Sequence, residues 1–248
     1  MATIPRLEPE RIAKRIARAG LCSRREAEQW VHAGRVAIEG ETISRPAINV
    51  WPDQVVMVDG EPLPEREPTR LWCYHKPRGL LTTTRDPQGR GTIFDRLPAT
   101  LPRVVTVGRL DLNSEGLLLL TNDGDLARGL ELPSAGWLRR YRVRAHGRVS
   151  DQALADLENG IKVDGVRYRP IEARLDREGR NNWLTVKLHE GKNREIRKVL
   201  ESIGLTVNRL IRTAYGPFQL AVLEPNEVRE IPKKVLDSKL IQHADYRR

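Results

Sequence analysis

The stretch from Gly108 to Gly124, G-R-L-D-L-N-S-E-G-L-L-L-L-T-N-D-G, does most to limit what this chain can fold into. Val104, Val105 and Val107 lead into Gly108-Arg109-Leu110-Asp111, a Ser/Asn/Glu/Gly turn follows, and Leu117 to Leu120 then run without a polar residue. Short apolar runs bounded by turn residues indicate core strands. Two such strands joined by a tight polar turn put Asp111 at a strand end, a rigid mount from which a carboxylate can face a cleft. Turn chemistry alone allows a plainer role, in which Asp111 merely starts the turn.

Around this stretch the pattern from Leu71 to Leu236 mixes strands and helices, with no internal repeat. Strands are expected at 71–74, 104–111, 117–121, 141–145, 171–175, 184–188 and 207–213. A helix is expected from Asp151 to Asn159, with Ser150 as its cap and Gly160 as its stop. A second runs from Asn193 to Ile203, with Ile196, Val199, Leu200 and Ile203 on one face before Gly204. Several strands with few, irregularly spaced helices argue for an α+β domain on a mixed, mainly antiparallel sheet.

Upstream lies a smaller, α-rich region. Arg11 to Ala19 reads as a short helix ended by Gly20, with Ile12 and Ile16 on one side. Arg11, Lys14, Arg15 and Arg18 follow the spacing i, i+3, i+4, i+7 and gather on one face. Ser23-Arg24-Arg25-Glu26 is a capping box opening a second helix, which buries Ala27 and Val31 and stops at Gly34. Arg24 and Arg25 sit in its first turn, where the helix dipole disfavours cations, so an external anion is implied. Short β-like pieces follow at 36–38, 42–43 and 55–58, the last leading into Asp59-Gly60 as a turn. The expected division is residues 1–62 for this domain, 63–70 for a Pro-rich charged tether, 71–236 for the larger domain, and 237–248 for a basic tail.

The chain carries 43 Lys and Arg against 33 Asp and Glu, a net charge of +10 that favours a polyanionic partner. Cys22 and Cys73 are isolated, and the five histidines show no ligand-like spacing, so neither a disulfide framework nor a metal site is expected. No apolar run approaches a membrane span, and the first ten residues lack a signal-peptide core. A soluble cytoplasmic protein in a reducing compartment is the expectation.

The G-R-L-D stretch resembles the active-site motif of RNA pseudouridine synthases. The string R-I-A-K-R-I-A-R-A-G-L-C-S-R-R-E-A-E-Q-W-V-H-A-G-R-V-A-I-E-G resembles the αL, S-four-type RNA-binding domain. That second resemblance makes Lys14, Arg15, Arg18, Arg24, Arg25 and Arg35 candidates for phosphate contacts, as suits RNA read by backbone and shape. The first implies isomerisation of uridine to pseudouridine in a base lifted from its stack, with no cofactor and no metal. It implies Asp111 as the catalytic aspartate, leaving open whether sugar or base is attacked. It implies Tyr141, in R-R-Y-R-V, as the ring that stacks on uracil. The family's usual lysine two residues earlier stands here as Arg139. Arg197, in G-K-N-R-E-I-R-K, is implied to pair with the aspartate, and Leu210 to line the uracil pocket beside Arg109. The domain order and the strings A-R-A-G-L-C-S-R-R-E-A-E and E-G-K-N-R-E-I-R-K-V-L look most similar to the bacterial RsuA/RluB branch. The implied partner is ribosomal RNA or an assembling ribosomal subunit, with a leaning toward the large subunit, and a monomer suffices.

Two other readings stay open on the residues alone. One is an RNA-gripping assembly factor without catalysis, against which Asp at 111 and Arg at 197 both count. The other is a DNA-binding regulator, which lacks a clear major-groove reading helix.

Overall fold

The computed structural model describes residues 8–245, with side chains described to residue 240. The chain divides into two compact units. The first takes the chain up to Thr69 with Leu101–Val104 and Asn122–Gly124, and the second takes the rest.

In the first unit, helices α1 (Ile12–Arg18) and α2 (Arg24–His32) bury Ile12, Ala13, Ile16, Ala27 and Val31 against one another and a small sheet. The capping box forms as expected: the Ser23 hydroxyl accepts from the Glu26 N–H, and the Glu26 carboxylate accepts from the Ser23 N–H. The sheet is antiparallel, ordered β2 (Glu41–Ile43), β1 (Val36–Ile38), β3 (Val56–Val58) and β4 (Glu61–Pro62). Glu61 and Pro62, which open the Pro-rich run, therefore belong to a strand, and Leu63 packs against the same core.

The second unit is built on a nine-stranded sheet. Its members are β5 (Leu71–Lys76), β6 (Val105–Val107), β7 (Glu115–Thr121), β8 (Arg139–His146), β9 (Ile171–Arg177), β10 (Asn182–Leu188), β11 (Thr206–Tyr215), β12 (Phe218–Gln219) and β13 (Val228–Ile231). The main order is β9-β10-β8-β11-β7-β5-β13, with β12 on β11 and β6 on β7. All neighbours are antiparallel except β11 and β7, whose parallel contact joins the two halves. Gly116 makes that junction possible. Its φ is +103°, and a Cβ there would lie 2.3 Å from the Arg212 carbonyl oxygen, so no side chain fits.

Every residue of β7 is buried, which accounts for its four leucines. Leu117 and Leu119 face a core shared with Ala127 and Leu130 of helix α3 (Gly124–Glu131) and Leu236 of helix α6 (Lys233–Asp245). Helix α4 (Asp151–Asp156) starts at the Ser150 cap and gives way to a 3-10 turn over Leu157–Asn159. Helix α5 (Glu195–Ser202) buries Ile196, Val199 and Leu200.

Four expectations need correction. The strand leading to Asp111 ends at Val107, so Asp111 sits in the connecting turn rather than on a strand end. Helix α5 begins at Glu195 because Arg194 adopts a left-handed backbone, φ 51° and ψ 29°. The stretch expected as a loose basic tail is helical as far as Asp245, and buried Leu236 anchors it; residues 246–248 lie outside the described residues. Finally, the structure adds α3, the hairpin Ile161–Val163 with Val166–Tyr168, and β13 to the expected elements.

Candidate active site

Asp111 lies in the turn 108–114, which is held by its backbone. Lys76, at the end of β5, has no exposed surface, and its ammonium donates to the carbonyls of Pro77 (3.0 Å), Asp111 (3.2 Å) and Ser114 (2.8 Å). Three acceptors match the three donors of an ammonium group. Burial pushes this amine down to about 8, against the pull of Asp111 and Glu115. The Thr82 hydroxyl donates to the Leu110 carbonyl at 2.8 Å, the Gly79 N–H donates to the Leu112 carbonyl, and the Gly108 N–H donates to the Glu131 carboxylate. The carboxylate of Asp111 is thus presented from a turn fixed on both sides.

Two arginines from α5 and the turn before it approach this aspartate differently. Arg194 brings a guanidinium nitrogen to 3.9 Å from the Asp111 carboxylate. Solvent reaches both groups, so the contact is worth at most about 1 kcal/mol. Arg197 donates instead to the carbonyls of Val207 (3.0 Å) and Asn113 (3.1 Å), tying α5 to β11 and to the Asp111 turn. Burial, and then the charge of Arg194, hold the Arg197 guanidinium below its ordinary range, with Asp111 acting in the opposite sense. The ion pair expected of Arg197 is therefore made by Arg194.

The loop carrying Arg194 is organised by Glu190 and Glu195. Glu195 is 3% exposed, and its Oε2 accepts from the Lys192 N–H at 2.8 Å while Oε1 has no donor. Glu190 accepts from the Arg169 N–H and from the Lys192 ammonium. Burial drives Glu195 up to about 7; the Lys192 N–H opposes this, and the neighbouring carboxylate of Glu190 adds to it. Glu190 moves the other way, because the Arg169 N–H and Lys192 outweigh its own burial. The two carboxyls are thus pushed apart, Glu195 toward holding a proton and Glu190 toward releasing one.

Asp111, Arg109, Tyr141, Leu210 and Arg194 all line one cavity of about 770 Å³, within the size range of small-molecule sites. Tyr141 and Leu210 come from adjacent strands β8 and β11. Arg139 also lines the cavity, and its guanidinium is fixed by the Tyr215 hydroxyl (3.0 Å) and the His189 carbonyl (2.9 Å). Arg197 is not among the lining residues. Sequence reasoning missed Lys76 and Arg194. Lys76 closes the strand L-W-C-Y-H-K before a proline, a polar end on an apolar run, and Arg194 lies in the same string that singled out Arg197.

In the first unit, Glu10 lies among the expected phosphate-binding cations, 2.7 Å from Arg18 and 3.9 Å from both Lys14 and Arg15. Arg35 is bidentate on Asp59 and stacks on Trp30 at 4.6 Å. Arg24 and Arg25 are exposed, with no ion pair found for either among the described residues.

A family model described as RNA pseudouridylate synthase matches residues 70–202, and an S4 domain model matches residues 10–56. An uncharacterized RNA pseudouridine synthase of Rickettsia typhi is 47% identical over 242 residues, 96% of this chain and 99% of that protein. The ribosomal large subunit pseudouridine synthase B of Haemophilus influenzae is 44% identical over 224 residues, 87% of this chain and 62% of that protein. A crystal structure of a pseudouridylate synthase superposes with a TM-score of 0.67 over 92% of this chain and 99% of that one, at 22% identity, and so shares its fold. The chain belongs to the RNA pseudouridine synthase family, joined to an amino-terminal S4 domain.

Proposed function

We propose that this enzyme isomerises uridine in large-subunit ribosomal RNA, taking the flipped base into the cavity beside Asp111. The observation that carries this reading is the shared cavity, where a carboxylate on a pinned turn, a buried phenol and several guanidiniums meet. The reaction breaks the bond from C1′ of the ribose to N1 of uracil and forms one from C1′ to C5. One proton leaves C5 and one arrives at N1, so nothing is oxidised and no atom is imported.

In this reading Asp111 is the nucleophile, and Arg194 and Arg197 hold its charge and its turn. Tyr141 stacks on the base, Leu210 excludes water from its edge, Arg109 meets the phosphates flanking the flipped nucleotide, and the buried Arg139 braces the cavity wall through Tyr215. Arg24 and Arg25, together with Lys14, Arg15, Arg18 and Arg35, grip the RNA at the amino-terminal domain, residues 1–62, which the tether 63–70 joins to the catalytic domain, 71–236. One chain supplies every side chain in the scheme, so the monomer is the working unit. The large-subunit target is supported by the names of the relatives, including the Haemophilus enzyme.

The test is tritium release from large-subunit ribosomal RNA transcribed with uridine labelled at C5. Wild type is expected to release tritium, and Asp111→Asn to lose on the order of 10⁴-fold in rate, as removal of a nucleophile does. Equal release by both proteins rules the scheme out.

A further inference from the structure

Strand β8 has two chemically different sides. Tyr141, Val143 and Ala145 alternate into the buried side, while Arg140, Arg142 and Arg144 alternate onto the other. The register places Lys187, Thr185 and Trp183 of β10 beside those three arginines, and Ile211 and Arg209 of β11 beside Arg142 and Arg144. This side of the sheet is open: Arg142 is exposed, and its strand neighbours are only partly covered.

Three carboxylates on this side are each engaged by a neighbour. Glu172 pairs with Lys187 at 2.6 Å, Asp176 pairs with Arg174 at 3.1 Å and accepts from Thr185, and Glu115 pairs with Arg209 at 2.8 Å. Arg140 is bound to the amide of Gln219, and Arg142 lies over the Trp183 ring at 4.4 Å from its centroid. The Nε of Arg144 is buried without an acceptor. Among the described residues these three arginines have no carboxylate partner, and one of them lies over an indole. Alternate residues on a strand stand about 6.8 Å apart, close to the repeat of successive phosphates along a nucleic-acid strand.

We propose that this open side of the sheet, facing away from the cavity, is a second RNA-docking surface of the catalytic domain. On it Arg140, Arg142 and Arg144 bind consecutive phosphates of the substrate RNA, and Trp183 offers a ring for stacking. The inference rests on the enzyme acting on RNA and adds a contact remote from the reacting nucleotide. A polyanion fits because the side carries surplus positive charge in flat guanidiniums, which phosphate meets in bidentate fashion. Arg142, already stacked on Trp183, loses little freedom when it binds.

The experiment compares wild type with Arg142→Glu/Arg144→Glu and with Lys162→Glu/Lys234→Glu, a control that alters charge equally at two exposed lysines elsewhere. The probe is a transcript of large-subunit ribosomal RNA, titrated by fluorescence anisotropy across a range of salt, with tritium release measured in parallel. The face variant is expected to bind about tenfold more weakly than the control, with a salt slope lower by about two, one for each arginine that no longer neutralises a phosphate. Its KM is expected to rise with kcat unchanged. Equal weakening of both variants, or no weakening of either, overturns the proposal, as does a fall in kcat with KM unchanged. A wild type that releases no tritium defeats the enzymatic reading instead, while the anisotropy arms still decide on the surface. Matching urea midpoints for the three proteins exclude misfolding as the cause.

Discussion

Two turns line the cavity, and they are held by different means. The Asp111 turn is fixed by neutral backbone acceptors converging on one buried ammonium, with Thr82 and Gly79 closing its sides. The turn from Glu190 to Arg194 is fixed by ionisable groups: the buried carboxyl of Glu195, the carboxylate of Glu190 and the Lys192 that touches both. Both turns carry a group that titrates: the Lys76 ammonium, pushed down to about 8, closes the turn of the reacting carboxylate, and the Glu195 carboxyl, pushed up to about 7, supports the turn of the arginine that answers it. Breaking each turn separately tests the contrast.

The largest effect is expected from Lys76→Met. It fills the space but leaves the carbonyls of Pro77, Asp111 and Ser114 without their donor, the first two partly buried and the last fully so. Unsatisfied buried acceptors cost about 1–3 kcal/mol each, so a loss of about 3 kcal/mol or more is expected in urea denaturation. Activity should fall further than stability explains, because the Asp111 turn is what Lys76 closes. A variant with wild-type kcat under conditions where it is fully folded would show that Lys76 does not position the turn.

A smaller effect separates the two arginines. Arg197→Ala removes two hydrogen bonds to carbonyls, one of them on the Asp111 turn, so both stability and kcat should drop. Each such bond from a charged donor is worth about 1.5–3 kcal/mol. Arg194→Ala removes an exposed, long ion pair and should leave stability within about 1 kcal/mol of wild type while still lowering kcat. Thermal melts and single-turnover rates of the pair check this. If Arg194→Ala destabilises the protein more than Arg197→Ala does, the assignment of tie and ion pair is reversed.

Much of this could be read from residues alone. The four leucines of β7 announced a strand buried on both sides, and the Ser23 box announced where α2 begins, because both signals are local. The string G-K-N-R-E-I-R-K marked the region that meets Asp111, but not which arginine pairs with it. That choice follows from the left-handed backbone at Arg194, which delays the helix and turns the side chain of Arg194 toward the carboxylate. Lys76 could not be assigned from its neighbours, since its three acceptors come from the next residue and from a turn 35 and 38 positions away. Helix α3 has Gly at two positions, Gly124 and Gly129, which weaken its local signal; packing of Ala127 and Leu130 on β7 makes up the difference. The β13 strand V-R-E-I is short and polar, and only its pairing with β5 makes it a strand.

The smallest and sharpest test concerns pH. The Glu195 carboxyl is raised in the folded chain from 4.5 to about 7. Between those values the folded protein holds a proton that the unfolded chain has released, so stability falls as pH rises through the window and levels off above about 7. Glu195→Gln keeps the neutral shape at every pH and leaves nothing to ionise. Its melting temperature should therefore match wild type near pH 5 and exceed it by a few degrees near pH 8. Between about pH 6 and 8 its kcat should hold where wild type declines, because Arg194 stays in place when the pair of carboxyls cannot become doubly charged; above that range the Lys76 ammonium titrates in both proteins. Glu195→Ala removes the acceptor of the Lys192 N–H as well, and should lose activity at both pH values. A purely structural glutamate would leave the pH profile of kcat unmoved in Glu195→Gln, and parallel profiles for the two proteins would mean that the turn carrying Arg194 does not depend on this proton.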